Sequence, residues 1–463
     1  MKKTVALKGG SYAIALTVLV LALLIVVNIL AGALPANLTK LDISSSKLYS
    51  ITSNTKAVVN ALEQDVTLYW IVQSGQEDAV IENLLSKYDS LSDFLHVEKK
   101  NPDVYPTFAQ QYTQETVSNN SLVVVSGEKY RYVPYSDIYV TQGSQFSYSY
   151  TTSFDGEGAI TSAIDYVVST ELPKLYLLEG HGESQLPESF QEQLEKENLE
   201  TENLSLLTVD EVPEDAAALL LYAPSSDISQ EEAQMLESYV QKGGKLLVLA
   251  GPVADGELTN LYGILETYGI TAAQGIVSEG DRSHYAFQAP YILLPELGDS
   301  DITAPLTEQN YYAIVPVAAG LQLGDDSRVT ALLTTTDSAY SKTSGYSQTT
   351  YEKEDGDIDG PFALGVDIAD GGELVFFTSS YLLEDMYNAY SSGANSDLVM
   401  NALSSLLGER QAMSIRSKSL NYNYLTISDS AASLLKLVMI GLVPMLYLAM
   451  GGAALWDKRR MQR

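Results

Sequence analysis

Two uncharged apolar runs, one near each end of the chain, limit what it can fold into more than any other feature. Residues 9–39 carry no charge and 13–34 are almost wholly aliphatic; residues 437–456 form a second run, with Pro444 inside it and Trp456 at its end. About 20 apolar residues suffice to cross a bilayer as a helix, which satisfies its backbone amides within one segment. Transmembrane helices are therefore predicted over 12–34 and 431–456, with Trp456 as an interfacial anchor. A cleaved signal peptide competes for the first run, with Lys2, Lys3 and Lys8 ahead of it and Ala31-Gly32-Ala33 as its cleavage site. The run exceeds the ~7–15 apolar residues of a signal core, which favours the helix.

Two crossings put both termini on one side. The Lys458-Arg459-Arg460 cluster assigns that side to the cytoplasm, against a weaker pull from Lys40, Lys47, Arg416 and Lys418 on the opposite flanks. The expected organisation is a cytoplasmic N-terminus (1–11), a helix (12–34), a first extracytoplasmic α/β domain (35–170), a second one (171–430), a helix (431–456) and a basic cytoplasmic tail (457–463). The whole chain holds 59 Asp and Glu against 27 Lys and Arg. So acidic a surface repels nucleic acid and anionic lipid headgroups, so neither is expected as a partner. The absence of cysteine excludes disulfides, thiolate metal sites and a Cys nucleophile.

Between the apolar runs, helices are predicted at 49–62 (capped by Ser50 or Thr52), 77–88 and 158–169. Strands are predicted at 66–72 and 121–125. Residues 130–140 read as a hairpin arm, and 143–155, rich in Ser, Thr and Tyr, as a surface loop. After Pro173, strands at 174–178, 203–209, 216–222 and 245–249 alternate with helices at 188–197 and 229–241. Ser229 caps the latter helix and Gly243-Gly244 stops it. Continuous apolar strands alternating with helices signal a parallel sheet covered on both faces. Further strands are expected at 313–317, 329–334 and 374–378, and a last helix at 396–407.

The most suggestive local cluster is Glu179-Gly-His-Gly-Glu183, placed at the end of a parallel strand, where open α/β sheets bind ligands. Glu179, His181 and Glu183 could hold a cation or move a proton there; the alternative is a glycine-permitted turn with a structural histidine. His96 and His284 share no metal-binding spacing with it. Asp355-Gly-Asp357-Ile-Asp359-Gly360 copies the opening of a calcium-binding EF-hand loop. The twelfth position, which should be a bidentate Glu, is Val366, so an acidic surface loop competes with that reading. Lys242-Gly-Gly-Lys245 precedes a strand and is a helix stop, not a phosphate loop; the chain carries no ATPase of its own. In the last apolar run, Ala449, Gly452 and Ala453 give the small-residue spacing that lets helices pack closely in lipid.

In order along the chain, these segments resemble one family, the GldG-type auxiliary proteins of gliding-motility and uncharacterised ABC transport systems. Leu41-Asp-Ile-Ser-Ser-Ser-Lys-Leu-Tyr-Ser-Ile-Thr52 is similar to the family's post-membrane segment, with Ser44 at the usual Thr. Leu84-Leu-Ser-Lys-Tyr88 through Pro102 and Pro106 follows, with Asn101 where Asp is usual. Residues 157–167, Gly180-His-Gly-Glu183, Gly243-Gly-Lys-Leu-Leu-Val-Leu249, Asp359-Gly-Pro361 and the Pro444 run with Arg459-Arg460 complete the series. The resemblance implies a non-catalytic accessory subunit without a cofactor, working beside a separate ABC ATPase and ABC permease. It also implies that the second domain is a flavodoxin-like or class I amidotransferase-like sheet. The latter shape normally carries a Cys nucleophile, which this chain lacks. Two other readings remain: a cell-surface enzyme or ligand-binding protein with its site at the His181/Glu183 turn, and an adhesin using the Tyr/Ser loops.

Overall fold

A computed structural model of the chain describes residues 18–23, 25–26, 50–144, 149–308, 310–408, 418–419 and 445. Residues 18–23, 25–26 and 445 are helical and belong to the two terminal apolar runs. The rest of both runs, including Ala449, Gly452 and Ala453, lies outside the described residues. No helix among the described residues is long and apolar enough to cross a membrane.

The N-terminal part builds a four-stranded sheet. Its elements are α1 (Ser53–Asn60), β1 (Val66–Ile71), α2 (Ala79–Asp89), β2 (Leu95–Lys100), β3 (Ser121–Ser126) and β4 (Lys129–Val133), in strand order β2-β1-β3-β4. Thr52 caps α1 through Thr55 N–H, and Asp78 caps α2 by accepting from Val80 N–H and Ile81 N–H at 2.8 and 3.0 Å. β1 and β2 run parallel around α2, while β3 and β4 add antiparallel. A hairpin of β5 (Tyr139–Ser144) and β6 (Ser149–Phe154) leads into α3 (Gly156–Val168). This overturns the expected loop at 143–155. Thr and Tyr are good strand formers, and the polarity of the segment forecast exposure, not irregular backbone. Lys418 and Ser419 pair with β6, adding a third strand.

One face of the four-stranded sheet is dry: α1, α2 and α3 close over Leu68, Trp70, Leu122 and Val124 with Val59, Ile81, Leu84, Tyr88, Ile160 and Ile164. Buried Glu157, at the start of α3, ties the incoming chain to this core. Its Oε1 accepts from Thr52 N–H at 2.6 Å and from the Thr55 hydroxyl at 2.8 Å.

The second part is dominated by one large sheet. In chain order come β7 (Lys174–Leu178), α4 (Glu188–Lys196), β8 (Glu200–Leu204), β9 (Ala216–Tyr222), α5 (Gln230–Gln241), β10 (Lys245–Leu249), α6 (Thr259–Glu266), β11 (Thr271–Ala273), β12 (Gly320–Gln322), β13 (Val329–Thr334), β14 (Ala363–Asp370), β15 (Gly372–Phe377) and α7 (Ala394–Leu407). The expected strand at 203–209 starts earlier, and residues 206–208 form a 3-10 turn instead. β8 lies at the sheet edge, where Glu200 and Glu202 face water without cost, so its polar first half hid it. The strand expected at 313–317 shrinks to Val315–Pro316.

The five parallel strands lie side by side as β8-β7-β9-β10-β15, the 2-1-3-4-5 order of flavodoxin-like sheets. β14 then continues antiparallel to β15, with β12 and β13 beyond it and β11 on β12. Alternate side chains of the parallel strands go to opposite faces. Leu175, Leu220, Leu247 and Val375 meet Phe190 and Leu194 of α4 and Leu398 and Leu403 of α7. Tyr176, Leu219, Leu221, Val248 and Phe376 meet Leu236 and Val240 of α5 and Leu261 and Leu265 of α6. Each fully buried Leu contributes about 1.5–3 kcal/mol, so this two-sided burial dominates the stability of the sheet.

The C-terminal end of α4 lies against α3. Asn198, buried and left-handed at φ 57°, donates its amide to the Ser162 carbonyl at 3.0 Å and to Asp165 Oδ2 at 3.1 Å, while Arg131 donates to its Oδ1. Lys196 pairs with buried Asp155 in the same seam. Burial pushes the neighbouring Glu197 carboxyl up to about 7; Lys196 opposes the shift and Asp165 adds to it. The folded chain therefore holds a proton that the unfolded chain releases near its ordinary value of 4.5. The stabilising protonation is complete below that value and is lost as pH rises towards 7 and above. We expect Glu197→Gln to match the parent in urea unfolding at pH 4 and to exceed it at pH 8. Equal midpoints at both pH values contradict the buried-carboxyl account.

Candidate functional site

The order of strands reverses between β7 and β9, so the loops leaving their carboxyl ends diverge and frame a crevice. The Glu179-Gly-His-Gly-Glu183 segment is the loop after β7, and Ala223 to Asp227 is the loop after β9. The two are laced together. Ser225 N–H and Ser226 N–H donate to the His181 carbonyl at 3.1 and 3.0 Å, and Ser184 N–H donates to the Ala223 carbonyl at 3.2 Å. Gly180 and Gly182 hold φ values of 131° and 68°, and Ala223 takes φ 49° in the facing loop. Left-handed backbone at a non-glycine residue costs roughly 1–2 kcal/mol, a strain that the lacing sustains.

His181 is nearly enclosed. Its Nδ1 lies 3.5 Å from Glu183 Oε1, and its Nε2 lies 3.1 Å from Glu232 Oε2. Glu183 Oε2 closes the turn by accepting from Gly180 N–H at 3.0 Å and His181 N–H at 2.8 Å. Glu232 comes from the first turn of α5, where it forms a capping box with Ser229. Glu232 Oε1 and Glu183 Oε1 are buried and make no hydrogen bond, the latter standing only at ion-pair distance from His181. Glu179 points elsewhere: it is exposed and accepts from Asn203 Nδ2 at 2.9 Å. The sequence thus singled out two of the three side chains that meet. Glu232 was missed, although Ser229-x-x-Glu232 is legible as a capping box; its approach to His181 depends on how α5 docks on the sheet.

The arrangement has a histidine and carboxylates but no aligned nucleophile. The hydroxyls of Ser225 and Ser226 are spent on the His181 main-chain carbonyl, at 3.3 and 3.0 Å, and do not address the ring. A hydroxyl committed to a carbonyl is not poised for transfer of its proton to a base. The other histidines stand apart: His96 faces Asp65 at 3.7 Å and His284 Nδ1 lies 3.2 Å from the Leu294 carbonyl. Among the described residues no group of three or more acidic or histidine side chains is placed to hold a metal ion. In the acidic loop, Asp357 sits 3.0 Å from buried Lys342 and Asp359 pairs with Lys353, while Asp355 is exposed. Lysine ammonium groups occupy the positions beside these carboxylates where a calcium ion would have to lie.

A Cβ at Gly182 would fall 2.2 Å from the Ser225 hydroxyl and would also carry the left-handed φ. Gly182→Ala is expected to destabilise the protein by about 2 kcal/mol or more, from backbone strain plus this clash. Ser225→Ala added to it removes the clash but not the strain. A double-mutant cycle in urea unfolding should therefore show partial rescue; strict additivity refutes the close approach of the two loops.

Residues 172–370 match a family described as an ABC-type uncharacterized transport system, and residues 45–141 match a domain of unknown function. No curated protein matches the chain. Among solved structures it is similar to the N-terminal domain of mmIFT52, at 18% identity over 50% of this chain and 97% of that one, with a TM-score of 0.38. A glutamine amidotransferase from Thermotoga maritima is similar at 9% identity, over 50% of this chain and 99% of its own, with a TM-score of 0.28. An exo-beta-1,4-mannosidase from Opitutaceae bacterium strain TAV5 is similar at 10% identity, over 70% of this chain and 49% of its own, with a TM-score of 0.30. At these scores none adds to the strand order described above. Residues 172–370, the region that contains the switch-point crevice and most of the large sheet, are thus similar to the family described as an ABC-type uncharacterized transport system.

Proposed function

We propose that the chain is a non-catalytic, membrane-anchored accessory subunit of an ABC-type transport system, of the GldG-like kind. It works with a separate ATPase and permease, and its large acidic part binds substrate or scaffolds the complex outside the cytoplasm. The observation that carries this reading is the family match over 172–370. The crevice is consistent with a non-catalytic role, because its serine hydroxyls are committed to backbone and the chain has no cysteine. The two terminal apolar runs support anchoring at both ends, with residues 35–170 and 171–430 as two outer domains and both termini in the cytoplasm. In this reading Ala449, Gly452 and Ala453 pack against the permease.

The cysteine-free sequence makes the topology directly measurable. Ala254→Cys, in an exposed turn after β10, should react with a membrane-impermeant maleimide on intact cells, and Met461→Cys should not. The reverse pattern overturns the orientation. Affinity capture of the chain should bring down an ABC ATPase and an ABC permease, and Leu at both Ala449 and Ala453 should weaken that capture while membrane insertion persists. Capture of neither subunit from gently solubilised membranes overturns the transport role.

A further inference from the structure

A second candidate site lies in the N-terminal part, away from the switch-point crevice and independent of the transport reading. β1, α2 and β2 form a parallel βαβ unit, and a hollow of about 580 Å³ opens outside its carboxyl ends, bordered by Ile71 of β1 and Lys100 of β2. That volume falls within the ~300–1,000 Å³ of small-ligand pockets, and the position is the one at which parallel strands present ligands. The segment from Asn101 to Asn120 walls it. This segment is pinned at both ends: Gln73 Nε2 donates to Asp103 Oδ1 at 3.0 Å, and Gln73 N–H donates to Asn119 Oδ1 at 3.1 Å. Asn120, left-handed at φ 68°, bonds Ile71, Gln76 and Asp78. The hollow is therefore built before any ligand arrives.

Its lining has a definite chemistry. Lys100 Nζ sits 4.9, 5.7 and 5.4 Å from the ring centroids of Tyr69, Tyr105 and Phe108, and its charge is matched by Glu98 at 2.8 Å. Phe108 is held in turn by Tyr69 and Tyr112, at 4.9 and 5.4 Å between centroids. Tyr105 is 54% exposed and offers its ring to the opening. Gln110, Gln114, Glu115 and Thr116, all exposed, also line the hollow. An anion would have to displace Glu98 from Lys100, pass Glu115 and approach a chain of net charge −32, and an organic cation would find the ring faces already taken by the Lys100 ammonium. What remains is an uncharged ligand with an apolar face for the rings and many hydroxyls for the amides. We infer that this hollow binds a short neutral saccharide.

The test is calorimetric titration of the full chain in lipid nanodiscs with neutral trisaccharides of glucose, mannose, galactose and N-acetylglucosamine. At least one binds, and Tyr105→Ala and Gln114→Ala each weaken it about tenfold or more with unchanged circular dichroism and melting. Tyr130→Ala, whose ring packs on Tyr112 outside the hollow, leaves binding intact. The assignment is overturned if no trisaccharide binds the parent protein, or if Tyr105→Ala binds as the parent does. It is also overturned if a proline-rich peptide binds at this aromatic wall and the sugars do not.

Discussion

The burial of both faces of the parallel strands β7, β9, β10 and β15 is the constraint on which the rest of the larger part depends. A strand covered on both sides can satisfy its backbone amides only through neighbouring strands, so every irregular segment is driven to the strand ends. There the loops must turn back over helices on one face or the other. The 2-1-3-4-5 order makes the loops after β7 and β9 part in opposite directions, and the crevice between them is a consequence of that geometry. The left-handed residues Gly182 and Ala223 stand in the two loops where main-chain hydrogen bonds join them.

What occupies the crevice follows from the same packing. Apolar side chains line both faces of the sheet, so polar groups carried to the strand ends must find partners within the loops or on the helix beside them. His181 finds two carboxylates, one from its own turn and one from the first turn of α5. The serines that would complete an acyl-transfer site are drawn off by the main-chain carbonyl of the same histidine. Residues that look like catalytic material in one dimension thus make the hydrogen bonds that fix a turn.

The seam between α3 and α4 is built differently. It relies on Asn198, Arg131, Lys196 and Asp155, charged and amide groups packed with limited access to water, where the apolar faces rely on shape. Such a contact is sensitive to protonation, as the raised Glu197 carboxyl shows, while the leucine-rich faces of the sheet are indifferent to pH.

The sequence by itself determined the elements whose signal is local. The strands at 174–178, 216–222 and 245–249 were legible because short continuous apolar runs bounded by turns and alternating with helices suit a buried parallel sheet, and Ser229 announced its helix by its cap. It also marked His181 and Glu183, since paired glycines after a strand require a turn that only they adopt readily. It revealed only the end of β8, whose exposed first half looks polar, and not the β5–β6 hairpin, whose Ser, Thr and Tyr read as loop. It could not join Glu232 to His181, 51 positions apart in sequence, or bring the aromatic wall at 105–108 to the ends of β1 and β2. Those meetings depend on strand order and helix docking, which arise from the burial of many side chains at once. Only the tertiary structure decided them.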